Sequence, residues 1–545
     1  MKKILTFLIL ILLFSQLSAQ EITTVDRPKL VVGIVVDQMR YDYLTRFYHR
    51  YSEDGFKRIL REGFNFENAH YNYVPTITAV GHASIYTGTT GANHGILAND
   101  FYDRESKELI YCVDDHNYRG IGTSYTDEQK SPKRLVSTTL TDELHLSQNM
   151  HGKTIAIGLK DRSAVLPGGH TSNGSYWFVG RDEGRFITSS FYMDELPKWV
   201  KDFNRKGLAE KMLKKKWETL YPIKTYSESM ADDNPYEGVF VGEDRPVFPH
   251  DFNRIKKENG NLDMIKETPF GNSLVLEFAK AAIDGEDLGQ GEYTDFLAMS
   301  FSSPDYVGHT YGVDSKEVED VYLRLDLDIA ALLKYLDKKV GIGNYTIFLT
   351  ADHAGAPVPS YLKSLKIPAG YFDYDDFRAY LSDLTQKLYG RRDLIENVSN
   401  LQVFLNRDNL ERSKLDVTAV SEKLTQEIIH YKGMYKVVTA HALQTADFEK
   451  GILKYLQNGY NQKYSGDILM ALKPAIISKR ATGSSHGSGY SYDTHVPIMF
   501  FGKGIKTGRS KNYVEVIDIA PTFSNLLQIS FPNCSTGRIL EEGLE

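Results

Sequence analysis

Val31-Val32-Gly33-Ile34-Val35-Val36-Asp37 decides how this chain is read. An apolar run of that length, closed by one carboxylate, suits a strand buried on both faces of a parallel sheet. The pattern recurs: Asp305 and His309 follow Phe296-Leu297-Ala298-Met299-Ser300-Phe301, and Asp352-His353 follows Thr346-Ile347-Phe348-Leu349-Thr350. Thr154 to Leu159 is a further candidate strand, and Pro497 to Phe501 closes the series. Amphipathic segments lie between them. The clearest runs from Val318 to Leu336, with Asp314 as the expected N-cap and Glu317 three residues on. Strands spaced by helices predict an α/β fold with a doubly wound, mostly parallel sheet flanked by helices. In such a sheet the carboxyl ends of the strands form the ligand crevice. Oxygen and imidazole ligands gathered there suggest a two-metal site built for hydrolysis at phosphorus.

Two stretches break the rhythm and are expected to be inserted cap subdomains. Residues 181–290 are rich in Lys, Tyr, Asp and Asn, and their run Lys214-Lys215-Lys216 reads as a solvated helix face. Residues 356–480 separate Asp352-His353 from His486, which lies in Gly483-Ser484-Ser485-His486-Gly487. The other boundary is at the start of the chain. Lys2-Lys3, the apolar stretch Ile4 to Phe14 and the small residues around Ser18-Ala19 read as a secretory signal peptide over residues 1–19. Residues 20–545 are then the catalytic domain. The stretch is short for a membrane span, no cysteine follows it for a lipid anchor, and no later run spans a bilayer. A periplasmic or secreted protein without a membrane anchor is expected.

The 545-residue chain carries a formal charge of −7. Removing Lys2 and Lys3 gives 62 − 71 = −9. So acidic a protein has no general attraction for nucleic acid, and anionic substrates must be drawn by metals and a few basic residues. Cys112 and Cys534 are far apart, outside any recognisable motif, and are expected to remain unpaired.

Taken singly, each candidate ligand has a plainer reading. Asp305 and His309, four apart, share a helix face, but so do many solvated pairs. Asp37 could cap a helix, Asp352-His353 could open a loop, and His486 could be a surface histidine. The joint pattern raises all of them. A nucleophile fits beside them in Pro75-Thr76-Ile77-Thr78-Ala79-Val80-Gly81-His82-Ala83-Ser84-Ile85-Tyr86-Thr87-Gly88. Thr78 would start a helix running to Gly88, where free N–H groups and the helix dipole favour phosphate; without metal ligands it would read as a simple N-cap. Asn99 offers an amide donor for a phosphoryl oxygen, or a turn residue. Lys160 and Arg162, two apart and extended, would point the same way and clamp a phosphate, or mark an exposed strand end.

These residues together resemble the alkaline phosphatase superfamily of bimetallic hydrolases, and within it the threonine-nucleophile, phosphate-irrepressible type, the PafA-like periplasmic alkaline phosphatases. The resemblance spans Asp37 to His486. It implies two Zn2+ per chain, one on Asp305, His309 and His486, the other on Asp37, Asp352, His353 and the Thr78 oxygen. It implies that Thr78 attacks phosphorus in line to form a phosphothreonine, which is then hydrolysed, while the first zinc stabilises the leaving alkoxide. Asn99, Lys160 and Arg162 would hold the phosphoryl oxygens. Serine-type relatives place an arginine directly after the nucleophile; here Ala79 stands there, so Arg162 is the candidate in its place. No third, magnesium-binding ligand set is expected.

The implied substrates are small phosphate monoesters, and a monomer is favoured. The rival within the superfamily is a phosphodiesterase or nucleotide pyrophosphatase, which needs room for a second organic group where Lys160 and Arg162 place charge. A sulfatase lacks its Cys/Ser-x-Pro-x-Arg signature here, and a phosphoglycerate-mutase-like enzyme fits poorly with secretion. The rival from another class is a secreted metal- or phosphate-binding protein without turnover, which would have no need of Thr78.

Overall fold

A computed structural model describes residues 26–480 and 482–545; the signal-peptide reading of residues 1–19 lies outside them. The strands that matter are β1 (Leu30–Val36), β2 (Phe64–His70), β3 (Thr154–Gly158), β4 (Gly174–Val179), β5 (Arg185–Ser189), β6 (Asp295–Phe301), β7 (Tyr345–Thr350) and β8 (His495–Gly502). They lie in one sheet in the order β2-β8-β7-β1-β6-β3-β4-β5, extended by Gly508–Ser510 beyond β2 and Gly120–Ile121 beyond β5. The five strands from β7 to β4 are parallel, while β8 and β5 run antiparallel to their inner neighbours. This is the mostly parallel α/β sheet that the apolar runs predict.

Every residue of β1, β6 and β7 is buried, as expected where helices cover both faces. β1 is central, with β6 on one side and β7 on the other, so the ends at Val36, Phe301 and Thr350 lie side by side. Four helices follow from this frame. α1 (Thr78–Thr87) is buried along its whole length. α2 (Arg162–Gly168) leaves the end of β3, α3 (Ser303–Tyr311) leaves β6, and α4 (Lys316–Leu336) precedes β7.

Two local readings change. The cap of α4 is Ser315, whose Oγ accepts from the Val318 N–H at 3.1 Å. Asp314 instead pairs with Arg46 at 2.7 Å. A hydroxyl one residue nearer the helix reaches the orphan N–H directly and leaves the carboxylate free for a cation. Lys160 and Arg162 are also not on one extended segment. β3 ends at Gly158, and Asp161 caps α2 from helical backbone angles. Their side chains are therefore placed by a turn and a helix start, not by the alternation of one strand.

The two irregular stretches differ in kind. Residues 181–290 supply β5 to the main sheet, and Phe186, Trp217, Phe252 and Phe278 join the principal core. That stretch packs as part of the main layers. Residues 356–480 hold an antiparallel sheet in the order Ile395–Ser399, Gln402–Leu405, Ile468–Leu472, Met434–Thr439. Helices Tyr374–Tyr389 and Val417–Ile428 share with it a core of their own around Phe377, Leu381, Val403 and Leu424. Cys112 is buried and Cys534 partly exposed, and both are free thiols.

Candidate active site

The crevice forms where the ends of β1, β3, β6 and β7 meet the first turn of α1. Asp37 is the residue after β1, and its N–H donates to the Phe301 carbonyl at 3.0 Å, locking it to the end of β6. Asp305 lies in the first turn of α3 and Asp352 just beyond β7. Gly81 lets α1 come close to them: a Cβ there would lie 2.1 Å from the Asp352 carbonyl oxygen. Glycine at this contact brings Thr78, at the head of α1, to the metal-ligand end of β7.

Two groups of side chains offer ligand atoms within 4.8 Å of one another: Asp37, Asp352 and His353, and Asp305, His353 and His486. His309 joins the second group through Nε2, which lies 3.2 Å from Asp305 Oδ1. His353 and His486 stack face to face at 3.5 Å between ring centroids, which places His353 between the two groups. Its Nε2 is 3.4 Å from Asp37 Oδ1, and His486 Nε2 is 3.6 Å from Asp305 Oδ1.

Backbone carbonyls set two of the imidazole tautomers. His353 Nδ1 lies 2.9 Å from the Ala354 carbonyl, and His486 Nδ1 lies 2.8 Å from the Thr76 carbonyl. A carbonyl only accepts, so each Nδ1 carries the proton and each Nε2 turns a lone pair into the crevice. At His309 two partners meet Nδ1, the Ser484 carbonyl at 2.9 Å and Arg480 Nη1 at 2.7 Å, and Arg480 itself donates to that carbonyl. Burial pushes the His353 and His486 imidazoles below their ordinary range, which keeps them neutral and available as ligands.

The carboxyl groups carry charge that the protein alone does not balance. Burial raises Asp37 well above the usual carboxylate range, and Asp305 and Asp352 raise it further against Lys160. Burial also works upward on Asp305, but His309 and Lys160 outweigh it and hold that carboxyl well below the usual range. Asp352 is held low against burial by His353 and His82. Asp37 Oδ1, Asp352 Oδ2 and His353 Nε2 are buried without hydrogen-bond partners. Unpartnered carboxylate oxygens and an imidazole lone pair, gathered in a buried site, fit a divalent cation by donor type and by charge.

Lys160 is buried with Nζ 2.5 Å from Asp37 Oδ2 and 2.6 Å from Asp305 Oδ2. The same ammonium lies 3.4 Å from Thr78 Oγ1 and 5.0 Å from the centre of the Tyr306 ring. Burial works to lower it, but Asp305 and Asp37 prevail and keep it charged. Asn99 Oδ1 accepts from the Ala79 N–H at 3.1 Å, so its carbonyl is committed to α1 and its NH2 remains as the donor. Arg162 Nη1 donates to the Tyr111 hydroxyl at 2.9 Å, and that hydroxyl donates to Asp161 at 2.5 Å. The guanidinium is thus braced from one side while Nε stays buried without a partner.

Two residues with no part in the sequence reading flank Asp352 at opposite oxygens, Gln38 by a hydrogen bond and His82 by proximity alone. The Gln38 N–H donates to Oδ1 at 3.2 Å, and its Nε2 donates to Asp305 Oδ1 at 2.7 Å. Gln38 adopts φ +63°, and Gly308 makes room for it, since a Cβ there would meet Gln38 Oε1 at 2.0 Å. His82 Nδ1 donates to the Thr78 carbonyl at 2.9 Å and lies 3.3 Å from Asp352 Oδ2, while Ser300 Oγ donates to its Nε2 at 3.0 Å. His82, four residues after Thr78 on a buried helix, carried a usable signal in its spacing; Gln38 carried only its place after Asp37. Gln38→Met keeps the length of the side chain and removes its donor. It is expected to weaken metal binding by about 10-fold or more, read by competition with a chelator and with the thermal midpoint as a control for folding. Unchanged metal affinity would show that the bracket is structural only.

A family model described as type I phosphodiesterase / nucleotide pyrophosphatase matches residues 31–490. The chain is 45% identical over 527 residues to a protein of Myroides odoratus named calcium-transporting ATPase, with 95% of each chain covered. It is 43% identical over 528 residues to alkaline phosphatase PafA of Elizabethkingia meningoseptica, with 96% of each covered. The crystal structure of wild-type alkaline phosphatase PafA superposes with a TM-score of 0.92 at 42% identity, covering 95% of this chain and 99% of that one. With a full-length relative of that identity and the same fold, the chain belongs to the type I phosphodiesterase / nucleotide pyrophosphatase family, on its PafA-like alkaline phosphatase branch.

Proposed function

We propose that this enzyme hydrolyses phosphate monoesters to an alcohol and inorganic phosphate through a phosphothreonine at Thr78. The observation that carries the reading is the placement of Thr78 Oγ1 at the head of a buried helix, 3.4 Å from the Lys160 ammonium and beside two carboxylate–imidazole groups. Thr78 Oγ1 forms the new bond to phosphorus while the bond to the alcohol oxygen breaks. Water then splits the phosphothreonine, returning the threonine hydroxyl and releasing phosphate. The α1 N-terminus, the Asn99 NH2, Lys160 and Arg162 hold the phosphoryl oxygens as charge shifts. Two zinc ions, one on Asp305, His309 and His486 and one on Asp37, Asp352, His353 and Thr78, would supply Lewis-acid charge at the attacking and leaving oxygens.

The family's diesterase members are the competing reading. A diester brings one charge fewer and a second organic group, whereas Lys160 puts a buried ammonium 3.4 Å from Thr78 Oγ1, with the Arg162 guanidinium as a second cation near that ammonium. Among the described residues no helix is long and apolar enough to cross a membrane. Removal of a terminal phosphoryl group from ATP is itself chemistry this site supports. We further place the enzyme in the periplasm or outside the cell as a monomer, on the reading of residues 1–19 as an export signal, with no nucleic acid partner for a chain of charge −7.

The test compares initial rates for an aryl phosphate and its methyl diester at mildly alkaline pH, before and after chelation, with zinc added back. The expected result is loss of turnover on chelation, recovery with zinc and preference for the monoester. Preference for the diester would move the chain to the diesterase reading. Zinc binding without turnover or phosphorylated Thr78 would make it a binding protein.

A further inference from the structure

A cavity of about 180 Å³ lies between the active-site loops and the unit formed by residues 356–480. Ile77, the residue before Thr78, and His486 form one side of it, and Leu401, Ile452, Leu472 and Ile476 contribute from the inserted unit. Most polar groups on its wall are already engaged. His486 Nδ1 donates to the Thr76 carbonyl, Ser488 Oγ donates to Asp493 Oδ2 at 2.5 Å, and the Tyr490 hydroxyl donates to the Leu472 carbonyl at 2.7 Å. Asp493 Oδ1 alone among these has no partner, and it is buried. An occupant therefore gains by burying apolar surface and needs no more than one donor.

From this geometry we infer that the cavity is a leaving-group subsite for an aryl or branched-alkyl group on the substrate alcohol. The inference rests on the monoesterase reading and adds a substrate class to it. His486 shares its ligand group with Asp305, and in the proposed reaction the leaving oxygen lies at that group. A carbon skeleton attached to that oxygen would then face Ile77 and His486, which line the cavity. The volume is that of a phenyl ring with little to spare: apolar cavities of about 150 Å³ stay dry and take up benzene. The inserted unit would thus select the alcohol while the main sheet handles the phosphoryl group.

Benzyl phosphate and ethyl phosphate, both alkyl esters, separate the two roles. Ile476→Trp and Ile452→Trp fill the cavity from two different elements, and both residues are half-buried, so the added bulk has room to settle. Each is expected to lower the benzyl-to-ethyl ratio of kcat/KM by about 10-fold and to leave ethyl phosphate within about twofold of wild type. An unchanged ratio in both variants would overturn the subsite. Should both variants lose ethyl phosphate turnover, Ile476→Ala decides: it should raise the ratio for naphthylmethyl over benzyl phosphate, and no rise would overturn the subsite. If the wild-type enzyme with zinc turns over neither ester, the monoesterase reading fails instead, a distinct result.

Discussion

Thr78→Ala is expected to cut kcat/KM for an aryl phosphate by roughly 10³-fold or more while leaving fold and metal content in place. Thr78 is 1% exposed, and its hydroxyl lies 3.4 Å from the Lys160 ammonium. Its removal should destabilise the fold by about 1 kcal/mol, the scale of one modest hydrogen bond and a methyl group. Catalysis loses far more, because Ala79, Val80 and Gly81 complete the first turn of α1 without a hydroxyl and the Thr76 hydroxyl is committed to the Ser488 carbonyl. The decisive readout is acid quench after a single turnover followed by mass spectrometry of the peptide that contains Thr78. Wild type should carry one added phosphate on that peptide and Thr78→Ala none. Turnover within a few-fold of wild type in the variant would remove Thr78 from the mechanism.

Arg162→Ala should erase the preference for monoesters over diesters. A planar guanidinium donates two parallel bonds to a dianionic phosphoryl group, and one charged hydrogen bond contributes about 1.5–3 kcal/mol. That is roughly 10- to 100-fold in kcat/KM for the monoester, with a smaller loss for the diester, whose single charge draws less from the cation. Tyr111→Phe removes the brace on Arg162 without removing charge and should give a weaker version of the same change. Lys160→Ala is a less clean test. Its Nζ also sits against Asp37 and Asp305, so truncation leaves two buried carboxylates without their ammonium and alters metal binding as well. Equal losses on monoester and diester in Arg162→Ala would make the arginine a general structural support.

The central strands were readable because the signal is local. A strand buried on both faces must be apolar at every position, and Leu30–Val36, Asp295–Phe301 and Tyr345–Thr350 have that pattern. The polar residue that closes each run falls at the carboxyl edge of the sheet by connectivity alone. Helix boundaries were less secure: Asp314 and Ser315 are adjacent cap formers, and only the neighbouring Arg46 shows which of them is taken up elsewhere. The extended reading of Lys160 and Arg162 failed for a similar reason. Asp161, between them, starts a helix from within what spacing suggested was a strand.

Sequence by itself determined the class of sheet, the carboxylates and imidazoles at its edge, and a threonine at the head of a helix. Tertiary structure decided how these meet. It set β1 between β6 and β7, which brings together ligands hundreds of residues apart in the chain. It stacked His353 on His486 and placed Gln38 and His82 on the two oxygens of Asp352. It also fused residues 181–290 into the main core and left residues 356–480 a core of their own. The physical reason is that the partners orienting the site are largely backbone groups. The carbonyls of Thr76, Thr78 and Ala354 and the N–H groups of Gln38 and Ala79 do this work. Nearly every residue type supplies such a group, so it leaves no mark in a sequence, and only the path of the chain shows where it points.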